Sequence, residues 1–390
     1  MEQDRLTLRA VFIDHQIFSA PAWNALHPLA FSRHSAVRTL AVMMGWLHER
    51  QIVEAQLPGL SLLERFHGSA YVTAFKAATD RGEVTISERK QFGFGTMENP
   101  IFPGLFERAC ATVGGSIAAA QSALDGTIAF HPAGGTHHGK PDRSSGFCYF
   151  NDPAFAIATF LDSGLDRILY FDLDAHHGDG VEQIFADDDR VTLVSVHEAD
   201  RWPYTGTADR PGPGNAVNIV LPRGSNDSEL AWMVGGPLAE FARAMRPQAI
   251  VITAGADCLH GDPLSAMEWS NGAWWQAVAT AVRWAPRAVV LGGGGYNPWT
   301  VTRGWAGLWA TLAGHNPGGP LPATARAFLA GFESDLIDAD EIEAEWVDSI
   351  VDTPRPGPIR KETRREVSAA LDRHRNKALG DRLEGCEAEY

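Results

Sequence analysis

Short, continuously apolar runs alternate along this chain with longer stretches in which apolar residues recur at helical spacing. Six runs read as strands: "LRAVFID" (8–14), "GTIAFHPAG" (126–134), "RILYFDLD" (167–174), "RVTLVSVH" (190–197), "QAIVITAGAD" (248–257) and "RAVVLGGGG" (287–295). Most are apolar at nearly every position rather than at alternate ones, so both faces of each strand are expected to be buried. Between them, "SGFCYFNDPAFAIATFLDSG" (with Asp152 as the expected N-cap), "NDSELAWMVGGPLAEFARAM" and "NGAWWQAVATAVRWA" read as helices long enough for crossovers. This β-α-β-α succession predicts an α/β protein with a parallel sheet covered by helices on both faces. Its chemistry is then expected at the carboxyl ends of the strands.

Polar residues crowd at those ends. The run 168–174 leads into "AHHGDG", so that Asp172, Asp174, His176, His177 and Asp179 fall within eight positions. In extended chain Asp172 and Asp174 share a side, and His176, just past the end, can join them. A carboxylate and an imidazole two residues apart can grip one metal ion. Zinc in hydrolytic enzymes takes three protein ligands and keeps a fourth position for water. Asp257, at the carboxyl end of another buried run, is the best third ligand. Taken singly, these aspartates would as readily be helix caps or turn formers; their crowding with histidines favours the metal. His137 and His138 follow a Gly-Gly turn and titrate near neutrality, as a general base and acid must, although an isolated His-His pair more often only decorates a loop. The four glycines of "VVLGGGGYNPW" could cradle phosphate, but no G-K-[ST] follows and Tyr296 and Asn297 break the G-x-G-x-x-G pattern. A tight turn presenting the Tyr296 hydroxyl to a developing oxyanion is the better reading.

Composition narrows the field. The chain has 390 residues and a net charge of -15, which argues against a general nucleic-acid binder. The first thirty residues, with Asp4, Arg5, Asp14 and His15, hold no sustained apolar segment, and nowhere do eighteen apolar residues run together. Secretion and membrane insertion lose support. Cys110, Cys148, Cys258 and Cys386 form no C-x-x-C pair, so neither a thiolate metal site nor a disulfide framework is expected, and a reducing cytoplasm fits. No linker divides residues 1–320, which read as one catalytic domain, followed by a helical, charged extension over 321–390. Within that extension Glu333 to Asp352 holds nine acidic residues and no Lys or Arg, and Arg355 to Arg382 holds nine basic ones. We read it as a solvated acidic helix pair and a mobile tail, with folding back onto an acidic face as the alternative.

The segments "HHGKPDRSSGFCYFND", "YFDLDAHHGDGVEQIF", "TAGADCLHGDPL" and "LGGGGYN", in this order, resemble the zinc-dependent histone deacetylase family over about residues 27–309. "FGFGTMENPIFPGLFE" points to the branch of bacterial acetoin-utilisation deacetylases. The resemblance implies an arginase-like three-layer α/β fold with a mainly parallel eight-stranded sheet. It also implies one zinc ion on Asp174, His176 and Asp257, a carbonyl-polarising Tyr296, and His138 as general base and acid with His137 as its electrostatic partner. Asp172 and Asp179 match the carboxylates that bond His137 and His138, respectively. A structural potassium ion is implied at Asp172, Asp174, His176, Ser195 and Val196. Gly146, Phe147, Trp202 and Leu264 match tunnel positions, and Glu98 replaces a rim aspartate that binds substrate backbone. His177 matches no ligand and is expected as a packed structural histidine. The activity implied is hydrolysis of N-ε-acetyl-lysine in protein or peptide, with an acetylpolyamine or other small acyl-amine as the alternative substrate. Two further alternatives are weaker: a binuclear ureohydrolase needs D-x-D where this chain has "ADC", and a non-enzymatic scaffold is at odds with intact catalytic positions. The oligomeric state is left open.

Overall fold

The apolar runs enter one sheet of eight strands: β1 (Ala10–Asp14), β2 (Ile52–Glu54), β3 (Ile128–His131), β4 (Ile168–Asp172), β5 (Val191–Glu198), β6 (Ala216–Leu221), β7 (Ala249–Thr253) and β8 (Ala288–Leu291). The order is β2-β1-β3-β8-β7-β4-β5-β6, and every neighbouring pair is parallel. This computed structural model describes residues 9–20, 27–207, 209–210 and 212–387, with side-chain surroundings described as far as residue 375. Asp4, Arg5 and the Cys386 side chain lie outside that range.

The unbroken apolarity of the strands has a direct cause. Successive side chains point to opposite faces, and each face has its own core. Phe12, Phe130, Phe171, Ile252 and Val290 pack with the helices Arg33–Met43, Asn271–Val282 and Pro298–Leu312. Val11, Ala129, Tyr170, Val251 and Val289 pack with Leu105–Ala123 and Asp152–Asp162. Two strands escaped the sequence reading. β2 is a three-residue edge strand, and β6 carries a polar Asn218 in the middle of "AVNIVL", where it donates to Glu182 Oε2 at 2.6 Å. The N-cap at 151–152 is also shifted: Asn151 accepts from Ala154 N–H, and Asp152 turns inward to other partners.

The central four strands, in the order β3-β8-β7-β4, are the ones whose carboxyl-terminal loops carry the acids, histidines and glycines noted above. Parallel pairing puts all four loops on one edge of the sheet. The register sets Asp172 beside both Ser195 and Thr253.

The chain after residue 340 does not behave as a solvated acidic pair and free tail. Trp346, Ile350, Val367, Ala370 and Leu371 are buried in the first core. Asp352 accepts from the fully buried Arg303 at 2.5 Å, and Glu229 accepts from Arg360 at 2.6 Å. Some of the charged residues serve as counterions inside the fold, where a composition count reads them as surface. Among the described residues no helix is long and apolar enough to cross a membrane.

Candidate active site

β4 and β7 deliver the three metal-type donors. One ligand atom each from Asp174, His176 and Asp257 lies within 4.8 Å of the others, and all three side chains are buried. His176 Nδ1–H points at Asp257 Oδ2 (2.9 Å) and Asp174 Oδ1 (3.2 Å). Backbone amides fix the carboxylates: Gly294 N–H donates to Asp174 Oδ2 at 2.7 Å and Ala175 N–H to Asp257 Oδ1 at 3.0 Å. The glycines around them are obligatory for space, because a Cβ on Gly255 would stand 2.1 Å from Asp174 Oδ2 and one on Gly294 1.9 Å from Asp257 Oδ2. Burial and the neighbouring Asp174 push Asp257 above the ordinary carboxylate range. Burial pulls His176 down, but its hydrogen bonds to both carboxylates outweigh this and lift it to about 10. Two buried carboxylates thus compete for one imidazolium proton. A divalent cation neutralises them better, and two oxygens with one imidazole nitrogen suit a mononuclear zinc site.

The tandem histidines face this cradle. They leave β3 through Gly134 and Gly135, and Gly135 has a left-handed φ of 88° with only 2.6 Å between its would-be Cβ and Gly292. The turn is held by Asp152, which accepts from Gly135 N–H (3.0 Å), Thr136 N–H (2.7 Å) and Ser116 Oγ (2.5 Å). His137 Nδ1–H donates to Asp172 Oδ2 at 2.7 Å, and His138 Nδ1–H to Asp179 Oδ1 at 2.8 Å. The two rings are 4.0 Å apart. Burial opposes charge on both, but Asp172 and Asp174 around His137 lift its pKa well above the ordinary value. Burial and that neighbouring charge push His138 far down. These surroundings favour charge on His137 and the neutral form of His138. Lys140 Nζ, 2.5 Å from Asp179 Oδ2, shares the carboxylate that orients His138.

Tyr296 ends the glycine run, with its N–H on Asp262 Oδ2 at 2.7 Å. Phe147 flanks it at 5.7 Å between ring centroids. Trp202 flanks His138 at 4.6 Å and His176 at 6.3 Å. Gly146 fits between them only because it lacks a side chain: a Cβ there would lie 2.5 Å from the Trp202 ring. Gly146 and Phe147 both have positive φ, 54° and 65°, a costly conformation for phenylalanine. Glu98 accepts from Gly146 N–H at 2.5 Å and pins this turn. Leu264 sits, partly buried, on the Asp262 loop, its N–H on Asp262 Oδ1 at 2.9 Å.

At the expected monovalent-cation position, Asp172 Oδ1 is buried without a hydrogen-bond partner. Ser195 lies opposite it in register and Val196 follows on β5. An orphaned, fully buried carboxylate oxygen is what a cation would satisfy. His177 is packed structurally, bonded to Thr205 Oγ1 at 2.8 Å and Glu182 Oε2 at 3.0 Å.

Sequence reasoning missed several supports: Asp152, Lys140, Asp262, and Tyr170, whose hydroxyl donates to Asp172 Oδ2 at 2.7 Å. It also missed Arg33, which donates to Gly293 O at 2.9 Å and Gly295 O at 3.2 Å. Arg33 lies 260 residues from Gly293, so no local pattern could reveal it. Asp262 stands inside the quoted "CLHGDPL" and was within reach.

Comparison with known proteins gives a consistent picture. The histone deacetylase domain family matches residues 27–312. Histone deacetylase 8 of Xenopus tropicalis is 31% identical over 298 residues, 74% of this chain and 80% of that protein. The acetoin utilization protein AcuC of Bacillus subtilis is 32% identical over 328 residues, 80% of this chain and 84% of that protein. Among solved structures, an HDAC homolog from Aquifex aeolicus superposes with a TM-score of 0.86 at 29% identity, covering 93% of this chain and 99% of the other. An HDAC homolog complexed with SAHA gives a TM-score of 0.87 at the same identity and coverage.

Proposed function

The chain belongs to the histone deacetylase family, and from that premise we propose that it is a zinc-dependent lysine deacetylase, releasing acetate from N-ε-acetyl-lysine in a protein or peptide. The observation that carries this reading is the buried Asp174, His176 and Asp257 cradle facing two histidines, each with its own aspartate.

Asp174, His176 and Asp257 would hold the zinc ion. When bound, zinc supplies Lewis-acid activation of a water molecule and of the amide carbonyl. His138, neutral and oriented by Asp179, accepts a proton from the attacking water and later delivers it to the departing amine nitrogen. His137, charged beside Asp172, is the electrostatic partner that keeps His138 a free base. Tyr296 O–H donates to the oxygen on which negative charge develops. Gly146, Phe147, Trp202 and Leu264 line an apolar slot for the four-carbon stem. Such a slot admits an uncharged acetylated amine and penalises the free ammonium, which favours product departure. Asp172, Asp174, His176, Ser195 and Val196 would hold a potassium ion, a reading supported by the orphaned Asp172 Oδ1. Residues 1–320 carry all of this machinery. Unpaired, buried Cys110, Cys148 and Cys258 fit action in the cytoplasm, and the charge of -15 speaks against a nucleic-acid partner.

One observation favours a second reading. The rim carboxylate of Glu98 is committed to Gly146 N–H, so it is less suited to gripping a peptide backbone, and its negative charge would attract a small cationic amine. Hydrolysis measured across acetyl-lysine peptides, longer acyl-lysines and acetylspermidine separates the two. The first reading expects the highest kcat/KM with acetyl-lysine peptides; a clear preference for acetylspermidine would replace it with the polyamine reading.

A further inference from the structure

Tyr296 is placed by a backbone that has little stiffness of its own. It follows Gly292 to Gly295, of which Gly293 and Gly295 have φ of 149° and 137°. Its position must therefore be set by what the flanking backbone is tied to. Two of those ties lead to one loop, residues 259–264. Tyr296 N–H donates to Asp262 Oδ2 at 2.7 Å, and Asn297 Nδ2 donates to Gly261 O at 2.9 Å.

That loop is clamped from its other side by the segment after residue 340. The Trp346 ring lies against Gly261 so closely that a Cβ on the glycine would stand 2.4 Å from it. Next to this contact, His260 is gripped at both ring nitrogens: Nδ1 by Glu268 Oε2 at 2.6 Å and Nε2 by Glu343 Oε1 at 2.8 Å. Arg355 Nη1 lies 3.3 Å from Glu268 Oε2 and its Nη2 3.8 Å from Glu343 Oε2, closing the cluster. The two nitrogens of His260 face opposite partners, so the cluster is a brace and not a chelating site.

We propose that Glu343 and Trp346 are positioning residues for the reaction. Through His260, Gly261 and Asp262 they fix where the Tyr296 hydroxyl stands relative to the reacting carbonyl. The charged extension is then a working part of the catalytic centre. This inference rests on the role given above to Tyr296 as oxyanion donor.

A double-mutant cycle tests it, with Glu343→Ala, Glu343→Gln and Tyr296→Phe made singly and Glu343→Ala combined with Tyr296→Phe. Steady-state kinetics on an acetyl-lysine peptide, thermal unfolding and zinc content are measured for each. Glu343→Ala should lower kcat by about tenfold with KM nearly unchanged. Glu343→Gln keeps a hydrogen-bonding partner for His260 and should restore kcat. In the Tyr296→Phe background Glu343→Ala should cost nothing further. Equal losses in both backgrounds, an unchanged kcat, or loss of fold in Glu343→Ala instead of loss of turnover would overturn the proposal. Wild-type turnover in Tyr296→Phe alone would instead overturn the reading of Tyr296 on which it rests.

Discussion

The division of labour proposed for His137 and His138 follows from where one proton can reside in a buried pair. Asp172 and Asp174 favour charge on His137, and that charge excludes a second on its neighbour 4.0 Å away. The proposed oxyanion donor, Tyr296, is not part of this pair. Replacing Tyr296 by phenylalanine should lower kcat by about 100- to 1,000-fold while KM changes little, because the lost hydrogen bond is made mainly in the transition state. Initial-rate kinetics on an acetyl-lysine peptide checks this. Acid stability draws on other buried histidines as well as His138. Burial lowers His67 to about 4 and His131 to about 3, below the ordinary 6.5. The unfolded chain therefore binds protons that the folded one refuses, and stability should fall as pH drops from 6.5 towards 4. His137 and His176, both raised, act with the opposite sign, chiefly above 6.5. Urea unfolding across this range should give a falling midpoint; a flat one would contradict the burial of two neutral imidazoles. That Asp174, His176 and Asp257 come together was legible in the sequence because each stands at the end of a buried apolar run, two of them in a local D-x-H pattern. The braces were not, since Arg33, Asp152 and Lys140 act on residues far from them in sequence.

At the scale of elements, the site is made by loops that can approach one another only where side chains are missing. Gly255, Gly293 and Gly294 back onto Asp174 and Asp257. Gly294→Ala should therefore displace Asp257 and weaken zinc binding by about 10- to 100-fold, measured by competition with a metal-binding dye. Retained affinity would mean that the carboxylate can move aside without loss. The six apolar runs read as strands all enter the sheet because doubly buried strands leave a plain signature. β6 was missed because Asn218, satisfied by Glu182, interrupts that signature. The N-cap moved by one residue because Asp152 has stronger work beneath the histidine turn.

Across the whole molecule, eight parallel strands put every carboxyl-terminal loop on one edge, and the central four carry the candidate chemistry. The α/β class and the edge on which to look were legible in the alternation of apolar runs and crossovers. The role of the chain after residue 340 was not, because an acidic stretch reads alike whether its charges meet water or a buried arginine. Asp352 meets Arg303, which is fully buried. Asp352→Ala should destabilise the fold by about 3–5 kcal/mol through the stranded guanidinium, seen in urea denaturation; a loss under about 1 kcal/mol would place that pair in the weak class of exposed ion pairs. The central claim is a single metal ion with an open position, gripped by Asp174, His176 and Asp257. Its most direct test is to titrate zinc into metal-stripped protein while following amide hydrolysis. Activity should rise in proportion and saturate at one equivalent per chain; full turnover before any metal is added, or saturation only at two equivalents, would contradict it.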